Sequence, residues 1–478
     1  MDKPDWRAAL EPAAKAALEF LESLPERAVR PALGPDPMLA SIDGPLADEG
    51  LPPAEVVRTL VRDADPGLNA MPSGRFFGWV IGGGLPAAVA ADWLTSVWDQ
   101  NSGMAIPTPA AAAFEQVALR WICELLELPA SCSAALVTGA QMANTTCLAA
   151  ARHRVLAAVG HDVELQGLIG APKLNIVVGA ERHDTVLRAL RLLGLGAGTA
   201  LAVETDGRGA MRADALAATL ATLSGPTIVC AQIGNVNTGA IDPMSAICDA
   251  VDALGARVGR DAVWLHADGA FGIWARASAR LRHLAQGAER ADSWATDAHK
   301  WLNTPYDCGI AIVKDADAHR RAMAVREAAY LPDSSVHAAR SPMDWTPEFS
   351  RRARGFAVYA ALRQLGRHGV AALIERCCGH ARAFAEQLSA LPGVRALCPV
   401  ELNQALIRFA DPNGNGDVAR DDQHTREVVK RVQAEGTCFM SETVWHGLTA
   451  MRISVSNWST DAADVERSVA SIARAHTS

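Results

Sequence analysis

Apolar residues recur at helical spacing near the start of the chain. Trp6, Leu10, Ala14, Leu18 and Leu21 share one face, which predicts an amphipathic helix over residues 5–30. Pro31 to Pro53 is rich in Pro, Gly and Asp and reads as an extended linker. A second short helix is predicted over 54–64. Residues 1–69 are too few and too linker-rich to bury a core alone. They form an N-terminal helical arm expected to lie along another surface, such as that of a partner subunit.

The pattern then changes. Between residues 70 and 345 short β-like runs alternate with helical stretches. The runs are Ala135–Thr138, Leu174–Val178, Thr199–Val203, Thr227–Ala231, Ala262–His266, Ser293–Ala295 and Ile310–Val313. Such alternation predicts an α/β domain, with helices on both faces of a seven-stranded, mostly parallel sheet. Ligands of these sheets bind beyond the carboxyl ends of the strands, so residues just after each run are the ones to examine. From 346 to 478 the chain predicts a small α+β domain. Its elements are helices Arg351–Gly366 and Gly369–Ala390, a strand Ala405–Phe409, a helix over 424–435, a strand Ala450–Val455 and a last helix Ala462–Ala475.

Composition narrows the classes. The 478 residues are 50% apolar and 21% charged, with net charge −8, which is globular and mildly acidic. That balance argues against a nucleic-acid or anionic-membrane partner. The longest uncharged apolar stretch, Phe76 to Ala91, holds three successive glycines and a proline and is shorter than a spanning helix. The first residues have no apolar signal core. The ten cysteines lack C-x-x-C spacing. Cys377, Cys378 and His380 have no second ligand pair nearby, so no metal site is expected and all ten read as reduced thiols of a cytoplasmic protein. Only six lysines stand among 45 basic residues. A lysine used where arginine would serve for charge therefore draws attention.

Two strand ends carry the chemistry. Val263–Gly269, VWLHADG, ends in His266 and Asp268 beside small residues, which lets a flat ligand approach a carboxylate. Alone it would read as a helix cap. Asp292–Asn303, DSWATDAHKWLN, places Lys300 among Trp294, Trp301 and Leu302. Desolvation there favours the neutral amine, the nucleophilic form, although a snorkelling surface lysine is the bland alternative. Pyridoxal phosphate requires both parts, a lysine for the imine and a carboxylate for the ring nitrogen. Thr138–Asn144, TGAQMAN, follows a strand and opens a helix, whose free N–H groups suit a phosphate. His183 follows another strand and can stack on a ring. Gly234–Gly239, GNVNTG, offers Asn235, Asn237 and Thr238 as polar contacts.

HADGA followed by DAHKW resembles the group II pyridoxal-phosphate-dependent decarboxylases, the group of the aromatic-L-amino-acid, glutamate and cysteine sulfinate decarboxylases. SGRFFGW, TGAQMAN, RHDTV, NVNTGAIDP, DCG and MRISVSN fall in the family's order over roughly residues 70–460. The resemblance implies fold type I, pyridoxal 5'-phosphate and a homodimer with a shared active site acting on an L-amino acid. Lys300 would be the imine lysine, and Asp268 would pair with the ring nitrogen. His183 and Ala270 would flank the ring. Ala140, Gln141, Asn235, Asp297 and His299 would complete the cofactor site. Arg452 matches an arginine that binds a substrate carboxylate, and Trp79 would line the substrate pocket. The segment Ser102–Thr108, with Met104 and Ile106, would reach that pocket from the partner. Arg75 is a further substrate candidate, for an acidic side chain.

Two departures from the family stand out. Ala140, Gln141 and Met142 occupy positions where relatives often carry Gly, Ser or Thr, which shifts phosphate contacts toward backbone. Relatives also use a loop tyrosine to protonate the carbanion carbon after CO₂ leaves. Here Leu331–Trp345 contains none; Tyr330 lies at its edge, and His337 is its one group titrating near neutrality and a candidate replacement acid. The reading is an L-amino acid decarboxylase giving an amine. The alternatives are oxidative decarboxylation to an aldehyde, an aldol-type carbon–carbon lyase, and a silent cofactor-binding relative. Three weaker features remain in the sequence. Asp411–Asp422 resembles a calcium loop but reads better as a solvated loop. Arg351, Arg352 and Arg354 read as a solvated face or an ion-pair site. Gly82–Gly84 reads as a hinge or turn.

Overall fold

The structure is a computed structural model that describes residues 5–324 and 340–478. Seven strands form one sheet: β1 (Ser133–Val137), β2 (Asn175–Gly179), β3 (Ala200–Val203), β4 (Thr227–Gln232), β5 (Val263–Asp268), β6 (Ser293–Asp297) and β7 (Gly309–Val313). Their order is β1-β7-β6-β5-β4-β2-β3, and β7 alone runs antiparallel to its neighbours. Every predicted run is found, displaced by two residues at most at either end. The central strands are apolar on both faces because helices cover both, as parallel sheets require. In β4 the alternation sends Val229 and Ala231 into one apolar layer and Ile228 and Cys230 into the other.

The helix Ala140–Ala157 lies in the second layer, and its small alanines let it sit close to the sheet. A second sheet, of order β10-β11-β9-β8, comprises β8 (Val394–Ala396), β9 (Gln404–Phe409), β10 (Ser441–Trp445) and β11 (Leu448–Ser454), all antiparallel. The helix Gly355–Ser389 beside it breaks at Gly366, whose φ of 61° explains why the periodicity reads as two helices.

Three expectations need correction. The first helix ends at Ser23, just before Pro25. The supposed linker contains a helix, Pro35–Ile42, started by Pro35 at a position where proline costs no hydrogen bond. Gly82–Gly84 is no hinge: a methyl group on Gly82 would stand 2.0 Å from the Lys300 carbonyl oxygen, and the Gly82 N–H donates to His299 O. Asp411 and Asp422 pair with Arg420 and Arg408. Arg351, Arg352 and Arg354 pair with Glu115, Asp92 and Asp307. Among the described residues no helix is long and apolar enough to cross a membrane.

Candidate active site

The carboxyl ends of β1, β2, β4, β5 and β6 open on one cavity of about 220 Å³. Asp268 is the last residue of β5 and is buried. Its Oδ2 accepts from Asn144 Nδ2 at 3.3 Å, and its Oδ1 from the Ala270 N–H at 3.3 Å. Burial raises its pKa, while the nearby charges of His183 and Lys300 pull the other way. Lys300 follows β6, with its Nζ 3.0 Å from Asp297 Oδ2. The other Asp297 oxygen accepts from the Ala140 N–H at 2.6 Å. Asp297 thus joins the amine to the start of the helix Ala140–Ala157, where free N–H groups favour negative charge.

Two histidines have assigned tautomers. The Cys308 N–H donates to His299 Nδ1 at 3.1 Å, so the His299 proton sits on Nε2, 3.6 Å from Asp297. The Thr185 N–H donates to His183 Nδ1 at 3.3 Å, which leaves Nε2 as the donor. Desolvation lowers the pKa of both rings. The segment carrying Lys300 is pinned by Asn303, fully buried at φ 56°. Its Oδ1 accepts from the Gly83 and Trp458 N–H groups, and its Nδ2 donates to Trp301 O and Ser456 O. All four bonds an amide side chain offers are made.

The cavity suits a flat anion-tailed molecule. It has a helix N-terminus at one end and a buried carboxylate at another. A methyl on Gly139 would stand 3.3 Å from the His299 ring and 3.6 Å from Asp297, filling the space beside the helix start. A lysine and a strand-end carboxylate arranged this way on such a sheet belong to the fold-type-I pyridoxal-phosphate enzymes. Residues 35–410 match the pyridoxal-dependent decarboxylase conserved domain, and the chain belongs to that family. It is 26% identical to tryptophan decarboxylase 1 of Oryza sativa subsp. japonica over 486 residues, covering 96% of this chain and 91% of that one. It is 27% identical to 4-hydroxyphenylacetaldehyde synthase of Rhodiola rosea over 448 residues, covering 88% and 85%. The fold superposes on the crystal structure of Oryza sativa TDC with PLP and tryptamine at a TM-score of 0.90 and 23% identity, covering 100% and 99%. The cofactor is pyridoxal 5'-phosphate, and the chain is a carboxy-lyase of that family.

The structure gathers Ala140, Gln141, His183, Asp268, Ala270, Asp297, His299 and Lys300 around the cavity. Three expectations fail, those for Asn235, Arg75 and Trp79. Asn235 turns away: its Oδ1 accepts from the Asn237 and Thr238 N–H groups and its Nδ2 donates to Glu181 O, so it shapes the loop. Arg75 is no substrate ligand. Its guanidinium donates to the carbonyls of Leu24, Pro25, Arg27 and Thr437 and ties the N-terminal arm to the body. Trp79, Met104 and Ile106 do not line this chain's cavity; Trp79 packs on Phe76 and Phe439. His337 lies outside the described residues. Sequence reasoning missed Thr185, Gln232 and Phe271 on the cavity wall. Thr185 alone had a signal, a polar residue in the first turn of the helix that His183 caps.

Proposed function

We propose that the chain removes the carboxyl group of an L-amino acid as CO₂ and leaves the amine, working as a homodimer. The carrying observation is Arg452. It is buried beside the site, its Nη1 donates to the neutral Asn237 Oδ1 at 3.1 Å, and its Nε has no partner. Among the described residues no carboxylate pairs with it. Burial alone lowers its pKa, to about 10. A guanidinium buried without an anion is costly unless a ligand supplies one, and an α-carboxylate fits.

Pyridoxal phosphate supplies, when bound, an aldehyde for amine condensation and a ring that withdraws electrons. Lys300 would hold the aldehyde carbon, Asp268 the ring nitrogen, His183 the ring face, and the Gln141 N–H with His299 the phosphate, the Ala140 N–H being taken by Asp297. Asp297, 3.0 Å from the Lys300 Nζ, would take the proton that the amine must lose to become a nucleophile. Arg452 fixes the substrate carboxylate, and a proton takes its place on the same carbon. Met104 and Ile106 would face the partner subunit's site.

A second reading follows from the loop without tyrosine and from the aldehyde-synthase relative. The amino acid, O₂ and water would then give an aldehyde, CO₂, ammonia and hydrogen peroxide. One aerobic panel of L-amino acids on the cofactor-loaded enzyme separates the outcomes. Amine equal to CO₂ supports the first reading, with His337 the candidate acid. Aldehyde with peroxide replaces it by the second. Aldehyde without CO₂ means carbon–carbon cleavage and ends both.

A further inference from the structure

Trp264, His266 and Asp268 alternate onto one face of β5, the face covered by the helix Ala140–Ala157. Between them runs an unbroken chain of buried polar groups. Trp264 Nε1 donates to Ser293 Oγ at 2.8 Å, and Ser293 Oγ lies 2.9 Å from His266 Nδ1. His266 Nε2 lies 2.8 Å from Asn144 Oδ1, and Asn144 Nδ2 lies 3.3 Å from Asp268 Oδ2.

The two ends assign every proton between them. Indole can only donate, and an ionised carboxylate can only accept. Asn144 must therefore turn its N–H toward Asp268 and its oxygen toward His266. His266 then carries its proton on Nε2 and accepts from the Ser293 hydroxyl, which accepts from Trp264. Burial pushes the His266 pKa down to about 3, so the ring stays neutral and keeps this order. Reversing any link would set two acceptors or two donors face to face in a dry interior.

We propose that Asn144 and His266 are positioning residues that keep the Asp268 carboxylate aimed and ionised for the cofactor ring nitrogen, through one directional chain anchored at Trp264. This rests on the reading that Asp268 pairs with that nitrogen. Neither residue touches the substrate; both act through Asp268.

The test measures the dissociation constant of pyridoxal phosphate and the visible absorption band of the bound cofactor, with circular dichroism to confirm folding. Asn144→Asp is isosteric and sets an oxygen against Asp268. It is expected to weaken cofactor binding about tenfold or more and to shift the band. His266→Leu should act in the same direction. His266→Gln, whose amide nitrogen stands in for Nε2, should restore most of the affinity. Asp268→Asn is the control. If it weakens binding while Asn144→Asp and His266→Leu match wild type, the positioning role is wrong and the Asp268 reading stands. If His266→Gln is as weak as His266→Leu, the role is packing and the inference fails. If Asp268→Asn changes neither affinity nor band, the Asp268 reading falls and takes the inference with it.

Discussion

Arg452 holds its charge in a place where only function rewards it. Replacing it with Met removes a buried guanidinium whose protein partner is neutral, so stability should hold or rise slightly. The substrate loses a charge-assisted contact, so KM should rise by about 10-fold to 100-fold. Cofactor affinity should stay unchanged, because Arg452 lines no part of the cofactor cavity. A lower urea midpoint with an unchanged KM would make the arginine structural. Residues such as Lys300 and Asp268 are legible in the sequence, one by scarcity of its type and both by position at strand ends. Arg75 and Asn235 mislead because a sequence shows what a side chain can bond, not where it points. Arg75 meets carbonyls about 50 and 362 positions away in the chain, and no local pattern announces them.

Elements were legible where burial imposes a period. Six strands of the large sheet show as apolar runs because they are buried on both faces, and the edge strand β3 shows by its apolar residues although Leu201 and Ala202 are exposed. Strand β10 does not, since its middle residues are solvated and its pattern is weak. The arm shows the opposite case. Its helices Trp6–Ser23, Pro35–Ile42 and Pro53–Ala64 keep their apolar stripes yet bury no residue. Leu18, Leu39 and Leu60 are 54%, 65% and 65% exposed. An amphipathic helix gains most of its stability from a packed face, so these stripes call for a second copy of the chain. The full chain is expected to sediment as a dimer. Replacing Leu18, Leu39 and Leu60 together with Asp should shift it toward monomer and reduce activity. In a monomer, the same exposed changes would each move stability by no more than about 0.5 kcal/mol. Sedimentation equilibrium at several concentrations decides, and an unchanged dimer would place the interface elsewhere.

For the molecule as a whole, acid stability follows from histidines folded in neutral form. His319 sits in the helix Ala316–Met323 with no exposed surface. Its Nε2 donates to Trp345 O at 2.9 Å, and its Nδ1 lies 2.8 Å from the Ser133 hydroxyl. Burial, with help from the Arg340 charge, pushes its pKa down to about 3, and His266 is equally low. The unfolded chain protonates each near about pH 6.5. Below that pH the unfolded state binds more protons, so stability is lost as pH falls from 6.5 toward 3. Asp242 works in reverse. Burial raises its pKa to about 7, so the native state holds the extra proton between 3.8 and 7, and its contribution is lost as pH rises through that range. These opposing groups blur the total profile, but a comparison of variants isolates one of them. His319→Gln keeps a donor for the Trp345 carbonyl and removes the titrating ring. Between pH 7.5 and 5.5 the wild type should lose about 1.4 kcal/mol more unfolding free energy than this variant. Urea denaturation at the two pH values measures the difference. Equal losses would mean that His319 is protonated in the native protein, and that its two hydrogen bonds do not hold the ring neutral.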